Sequence, residues 1–238
     1  MADDGVDAPG VTSARLQAFV DEAPAARLPH VQFLRKAVAD LPDGAKVLDV
    51  GAGDAPYREL FDRFEYLTND WAGTEHVADQ PYDIVAEAHD LPVDDGTFDA
   101  LLCTQVLEHL PEPWIAVEEF QRVLRPGGKV IITAPLTWFL HELPHDYYRF
   151  TPYGLAHLLR RAGFTDIEVE PMNDSPSTVA ELLRQLRWFL GQPDDDRQMA
   201  RGVAGEVVGG LADAVEQLSW LDTQWYLPIS FSAVAFAT

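Results

Sequence analysis

"VLDVGAGDAPYRELF", Val47 to Phe61, is the stretch on which the reading of this chain turns. A short apolar run carries a carboxylate near its end, two glycines follow, and a helical pattern begins. Glycine lacks a Cβ, so Gly51 and Gly53 allow the backbone to bend sharply and approach a ligand closely. Asp49 stands at the end of the strand, the edge where open α/β sheets bind their ligands. The dinucleotide fingerprint G-x-G-x-x-G is not met, because Pro56 holds the third glycine's position, and the phosphate loop G-x-x-x-x-G-K-[ST] is absent. Asp54 puts a further carboxylate in the turn, which a phosphate would gain nothing from. The turn suits a ligand without a pyrophosphate and with a positive charge.

Outward from this turn, from Ala45 to Phe164, short apolar runs alternate with helical patterns, the signature of β-α-β units and a parallel sheet. Strands are expected at "KVLDVG", "FEYLTND", "YDIVAEA", "FDALLCT" and "KVIITAP". "PEPWIAVEEFQRVLRPGG" reads as a crossover helix that begins at Pro113 and is stopped by the "PGG". "TPYGLAHLLRRAGF" reads as a second helix, with Thr151 as its cap, Pro152 in its first turn and Gly163 at its close. "VQFLRKAVADL" places Val31, Leu34, Val38 and Leu41 near helical spacing ahead of the sheet, and "TDIEVEP" and "ISFSAVAFAT" add two later strands. Asp70 ends the second expected strand about 20 residues after the turn, where a carboxylate can accept both hydroxyls of a ribose. Asp90 follows the third. Three carboxylates at successive strand ends outline an adenosine that carries a cation.

In order, the chain shows "VLDVGAG", "DLPVDDGTFDA", "QVLEHL" and "RVLRPGG". This series resembles the class I S-adenosylmethionine-dependent methyltransferases, whose consensus runs "VLDVG.G", "D.LP...FD", "VLEHL", "RVL.PGG". The resemblance covers about Ala45 to Phe164 and implies a Rossmann-like, seven-stranded, mostly parallel sheet with helices on both faces and an antiparallel last strand. It also implies S-adenosyl-L-methionine as cofactor. Asp49, Gly51, Gly53 and the Asp54 turn would line its methionine part, Asp70 its ribose, Asp90 and the Leu91 backbone its adenine, with Gln105 closing the site. One departure is Asn69 in "TNDW", which can share or replace the role of Asp70. Glu108 and His109 in "LEHL" read as packing or cofactor-side residues, since the motif recurs across many substrates, with an acid/base pair as the alternative.

"HELPHDYYRF", His141 to Phe150, invites a different reading, because its first five letters match the zinc motif H-E-x-x-H. That motif needs a helix so that both histidines share one face. Pro144 inside a helix would cost about 3 kcal/mol, so no zinc site is expected and no metal is assigned. The stretch is instead a loop joining the fifth strand to the next helix, opening at the same sheet edge as the cofactor. His145 is the candidate base for an acceptor hydroxyl, its ordinary pKa near 6.5 suiting proton removal around neutrality. Asp146, Tyr148 and Arg149 would orient it or bind a polar acceptor, with His141, Tyr148 and Trp138 toward the acceptor. A second reading stands beside this one: Asp146 and Arg149 pin the loop, and His145 is a structural hydrogen-bonder.

The 238 residues are 47% hydrophobic, enough for one large domain, and the formal charge of −22 offers no basic footprint for nucleic acid or anionic lipid. The single cysteine, Cys103, lies in an apolar run and reads as a buried structural thiol. No apolar run spans a membrane and the first residues lack the pattern of a signal peptide, so a cytoplasmic protein is expected. Three parts are expected: N-terminal helices over 1–44 as a lid, a core over 45–172 and 228–238, and a helical insertion over 173–227. In the insertion, Val179, Leu182, Leu183, Leu186 and Leu190 form one apolar stripe and Val207, Val208, Leu211, Val215 and Leu218 another, to cap the acceptor site, to join two copies as a homodimer or simply to extend the core. The expected function is methyl transfer to oxygen or nitrogen of a small molecule, in natural-product or sugar modification. The alternative is a cofactor-binding regulator of the same fold.

Overall fold

The computed structural model describes residues 13–22, 24–73, 81–191, 198–221 and 227–238. Seven strands form one sheet: β1 (Lys46–Val50), β2 (Glu65–Asp70), β3 (Ile84–Val85), β4 (Phe98–Thr104), β5 (Leu124–Pro135), β6 (Thr165–Pro171) and β7 (Ser230–Phe236). Their order is β3-β2-β1-β4-β5-β7-β6. The first five pair in parallel, and β7 runs antiparallel to both β5 and β6. The expected Rossmann-like architecture is the one observed. Strand order reverses between β1 and β4, the switch point at which such sheets hold ligands.

Central parallel strands are covered on both faces, which is why β1 and β4 read as nearly unbroken apolar runs. One face packs Leu48, Val50, Leu101 and Cys103 under α3 (Pro113–Val123) and α4 (Pro152–Arg161). On the other, Val47, Ala100, Leu102 and Ile131 lie under α1 (Ala14–Glu22), α2 (Pro24–Val38) and the 3-10 turn Arg58–Phe61. The buried Lys129 ties α2 to β5 by donating to the Ala37 carbonyl at 2.9 Å and to Asp40. α4 is capped as its sequence implied, with Thr151 Oγ1 accepting from the Gly154 amide at 3.1 Å.

Three expectations need correction. β3 keeps only two paired residues of "YDIVAEA", because Asp83 just before it turns its carboxylate onto the Thr68 amide and hydroxyl of β2. α3 ends at Val123, before the "PGG": Leu124 is already extended and pairs with Phe98, and Pro126 disfavours helix at Arg125. The insertion consists of α5 (Ser175–Gly191) and α6 (Gln198–Glu216), yet Leu186, Val207, Leu211 and Leu218 are exposed. The small residues Ala180, Gly205, Gly209 and Ala212 are buried, with Val179, Leu182, Leu183, Val208 and Val215 half-buried, and a Cβ on Gly209 would come within 2.8 Å of Arg187 on α5. The side chain of Leu190 and residues 192–197 lie outside the described residues.

Candidate active site

The turn after β1 is held open by backbone conformation. Gly51 and Gly53 take φ of +68° and +52°, and Ala55 follows at +46°. A Cβ on Gly51 would stand 2.4 Å from Val106 Cγ2, so the chain after β4 closes directly on this glycine. Asp54 is exposed, and its carbonyl accepts from Arg15 of α1 at 2.9 Å, which brings the N-terminal helix to the rim of the turn.

Asp49 is 1% exposed. Tyr66 donates its hydroxyl to Oδ2, while Oδ1 has no hydrogen-bond partner. Loss of solvent pushes the carboxyl up to about 7; the neighbouring Asp70 charge adds to this and the Tyr66 bond opposes it. A buried carboxylate with an unpartnered oxygen is what a cationic ligand would satisfy, so this residue fits the ammonium and sulfonium character of S-adenosylmethionine. Asp70 receives the Gly53 amide on Oδ2 at 2.9 Å and the Trp71 amide on Oδ1 at 2.8 Å. These bonds lock the glycine turn to β2 and set the carboxylate at the strand end. Asn69 does not share that role: it is buried, and its amide donates to the carbonyls of Ile84 and Ala86 at 3.2 and 3.0 Å.

Asp90, expected at the adenine, is exposed beyond β3. Leu91 must be corrected. Its amide donates to Glu119 at 2.8 Å and its carbonyl accepts from Arg122 at 3.0 Å, so its backbone is bound to α3 rather than presented to a ligand. Gln105 sits at φ +56°, a left-handed conformation uncommon outside glycine. Its side chain turns along the sheet, donating to Thr133 at 3.0 Å and facing the Ser230 hydroxyl at 3.4 Å. It fixes the end of β4 rather than offering its amide to the pocket.

After β5 the chain runs without helix from Leu136 to Thr151. "HELPH" is not helical. The side chain of Asp146 has no solvent exposure and is gripped by Arg149, at 2.5 Å through Nη1 and 2.9 Å through Nη2, while the His141 amide donates to it at 3.0 Å. Arg149 also donates to the Phe139 carbonyl at 2.9 Å. The guanidinium holds the Asp146 carboxyl well below the usual carboxylate range. These two residues therefore close the loop on itself, and Asp146 does not orient His145. His145 is exposed and meets Trp71 edge-on at 5.6 Å between centroids, so the segment after β5 reaches the residue next to Asp70. Tyr148 donates its hydroxyl to the Pro111 carbonyl at 2.9 Å, leaving only its ring to line a pocket, and Trp138 is half-buried against Phe139.

The loop also brings together residues that the sequence kept apart. Glu108 and His109, on the 3-10 turn after β4, lie against His141. His109 and His141 stack edge to face at 4.7 Å. Glu108 is fully buried, neither carboxylate oxygen has a hydrogen-bond partner, and desolvation pushes its carboxyl up to about 8. No local spacing signals this pairing. A separate cavity of about 510 Å³ lies between α2, the end of β6 and α5, lined by Leu28, Gln32, Met172 and Ser177 among others, and none of the cofactor-side acids reaches it.

Comparison with known proteins matches residues 48–132 to the family model described as "Methyltransferase domain". A "Ubiquinone biosynthesis O-methyltransferase" of Acinetobacter baumannii (strain AYE) is 29% identical over 166 residues, covering 57% of this chain and 70% of the relative. An "Uncharacterized methyltransferase" of Mycobacterium sp. (strain JLS) is 35% identical over 138 residues, covering 55% of this chain and 52% of the relative. Among solved structures, a SAM-dependent methyltransferase from Archaeoglobus fulgidus superposes with a TM-score of 0.59 at 18% identity, covering 92% of this chain and 98% of that one.

Proposed function

We propose that this chain, which belongs to the class I S-adenosylmethionine-dependent methyltransferases, methylates an oxygen or nitrogen of a small-molecule acceptor seated beneath the loop from Leu136 to Phe150. The observation that carries this reading is the reach of that loop: His145 touches Trp71, so the segment closes over the ribose side of the cofactor turn. When bound, S-adenosylmethionine supplies an electrophilic methyl group on a sulfonium. Asp49 and Asp70 orient the cofactor from β1 and β2. Asp146 and Arg149 hold the loop so that reacting atoms can be kept about 3 Å apart, and His145 takes the acceptor's proton. His141, Trp138 and the Tyr148 ring form the acceptor-side wall. Leu140, Leu143, Tyr147 and Trp71 are exposed around it, which favours an acceptor with an apolar or aromatic body. The name of the Acinetobacter relative makes a hydroxyl the first acceptor to test.

The charge of −22 disfavours nucleic acid, and among the described residues no helix is long and apolar enough to cross a membrane; we place the protein in the cytoplasm. In this reading α1 is a lid at the glycine turn and the 173–227 insertion a cap on the acceptor side or a homodimer contact. The test is release of S-adenosylhomocysteine across a panel of phenolic, hydroxyl and amine acceptors. With an acceptor in hand, His145→Ala should lower kcat while S-adenosylmethionine affinity holds. An unchanged kcat would remove His145 from the mechanism, and tight cofactor binding without turnover on any acceptor would favour a regulator of the same fold.

A further inference from the structure

We propose that Glu108, His109 and His141 form a binding site for a divalent transition-metal ion that accepts nitrogen and oxygen ligands, as zinc does. One ligand atom from each lies within 4.8 Å of the others. Glu108 is 0% exposed and both its oxygens lack a hydrogen-bond partner, as does the buried Nε2 of His109, which stands 3.8 Å from Glu108 Oε1. Buried polar groups in this state are destabilising, and a cation at their focus would satisfy all three at once.

The arrangement around the ligands points the same way. His109 Nδ1 donates to the His145 carbonyl at 2.7 Å, which fixes the tautomer that leaves Nε2 bare. His141 Nδ1 faces the Phe139 carbonyl at 3.2 Å and Asp146 Oδ2 at 3.4 Å, which leaves its Nε2 as the ligating nitrogen. Metal-bound histidines are held in just this manner, one ring nitrogen on the ion and the other on a carbonyl or carboxylate. His109 Nε2 stands 3.8 Å from Glu108 Oε1 and 3.8 Å from Glu142 Oε2. The first distance is too long for a hydrogen bond but matches two ligands at about 2.1 Å from a shared ion, which lie roughly 3–4 Å apart. Glu142, half-exposed, lies beside the group through His109 and is not one of its three ligands. Two imidazoles and a carboxylate suit zinc, cobalt or iron(II) over magnesium or calcium, which prefer oxygen alone. The second histidine of "HELPH" contributes only its backbone carbonyl; the motif is half used, through the fold rather than along a helix.

The experiment uses the full chain without an affinity tag, stripped with a chelator and dialysed. Titration with Co2+, followed by its visible d–d absorption, and with Zn2+, followed by calorimetry, should show one saturable equivalent. Glu108→Gln and His141→Ala should each weaken binding at least tenfold, while His145→Ala leaves it unchanged. Circular dichroism and S-adenosylmethionine titration report whether each variant is folded. Should Glu108→Gln fail to fold, His141→Ala, on an accessible loop, decides alone. The proposal is overturned if the wild type takes up no stoichiometric metal, if both ligand variants bind as the wild type does, or if binding is lost in His145→Ala and kept in His141→Ala. These readouts stand apart from any acceptor.

Discussion

Replacing Gly51 by alanine separates two ways in which the cofactor turn depends on glycine. Gly51 lies at φ +68°, and the new Cβ would stand 2.4 Å and 2.9 Å from the two methyls of Val106. Gly44, at φ +77° with nothing within 4 Å of such a Cβ, carries the backbone strain without the clash. A left-handed conformation costs a non-glycine residue roughly 1–2 kcal/mol. The stiffer unfolded chain returns roughly 0.4–1 kcal/mol, so Gly44→Ala should lose about 1 kcal/mol. Val106 has no flexible end to swing aside, and overpacking of this kind adds roughly 1–3 kcal/mol. Gly51→Ala should therefore lose about 2–4 kcal/mol, a fall in Tm of roughly 5–15 °C for a chain of this size. Because the strain falls between β1 and β4, S-adenosylmethionine affinity should also drop about tenfold or more, a loss of at least ~1.4 kcal/mol. Gly51→Ala combined with Val106→Ala should regain affinity by relieving the clash while keeping the backbone strain. Thermal unfolding and calorimetric titration of the four proteins provide the comparison. If Gly51→Ala matches Gly44→Ala in both stability and affinity, the close approach of Val106 has no part in forming the site.

Asp49 should make cofactor binding depend on pH: its carboxyl is raised to about 7, a cation favours its ionised form, and affinity should therefore climb from pH 5 to about 7 and then level off. Asp49→Asn should flatten that curve, and a slope surviving in the variant would assign it elsewhere. The same raised carboxyl makes apoprotein stability decline as pH rises from the unfolded value of 3.8 toward 7, since only the unfolded chain ionises freely there. Asp70→Asn keeps the shape but removes the charge that holds the Gly53 and Trp71 amides and that we propose for the ribose; calorimetry should show a loss of roughly 2–4 kcal/mol, and unaltered affinity would exclude Asp70 from the ribose site. Arg149→Ala leaves Asp146 buried without its guanidinium partner and should cost on the order of 2 kcal/mol, below the ~3–5 kcal/mol of a fully buried pair because Arg149 keeps some solvent. It should impair turnover while sparing cofactor affinity, and wild-type turnover would show that the loop needs no such clasp. Replacing residues 173–227 by an Asn-Gly turn should spare cofactor binding and abolish transfer to the native acceptor. Full activity in the shortened protein would exclude a cap, and a change from dimer to monomer in light scattering would make the insertion an interface.

The sheet was legible in the sequence because its signals are local. Strands buried on both faces must be continuous apolar runs, and a turn that approaches a ligand needs glycine, so "VLDVGAG", "FDALLC" and "KVIITAP" located β1, β4 and β5, and Asp49 and Asp70 fell at their strand ends by counting. Pro144 likewise decided locally that "HELPH" is no helix. What the sequence could not supply was any relation resting on distance through space. The Leu91 backbone lost its expected ligand to Glu119, 28 residues on, and Gln105 turned to Thr133, also 28 residues on. Leu186, Val207, Leu211 and Leu218 of the two expected stripes stayed exposed, because only the approach of two helices says which face is the inner one. Asp146 took Arg149 and His141 as partners instead of His145, and Glu108 and His109 met His141 through the packing of the β5 loop onto the end of β4. Local sequence settles backbone conformation and burial. Which polar atoms face one another is set only when the sheet brings its carboxyl-edge loops together.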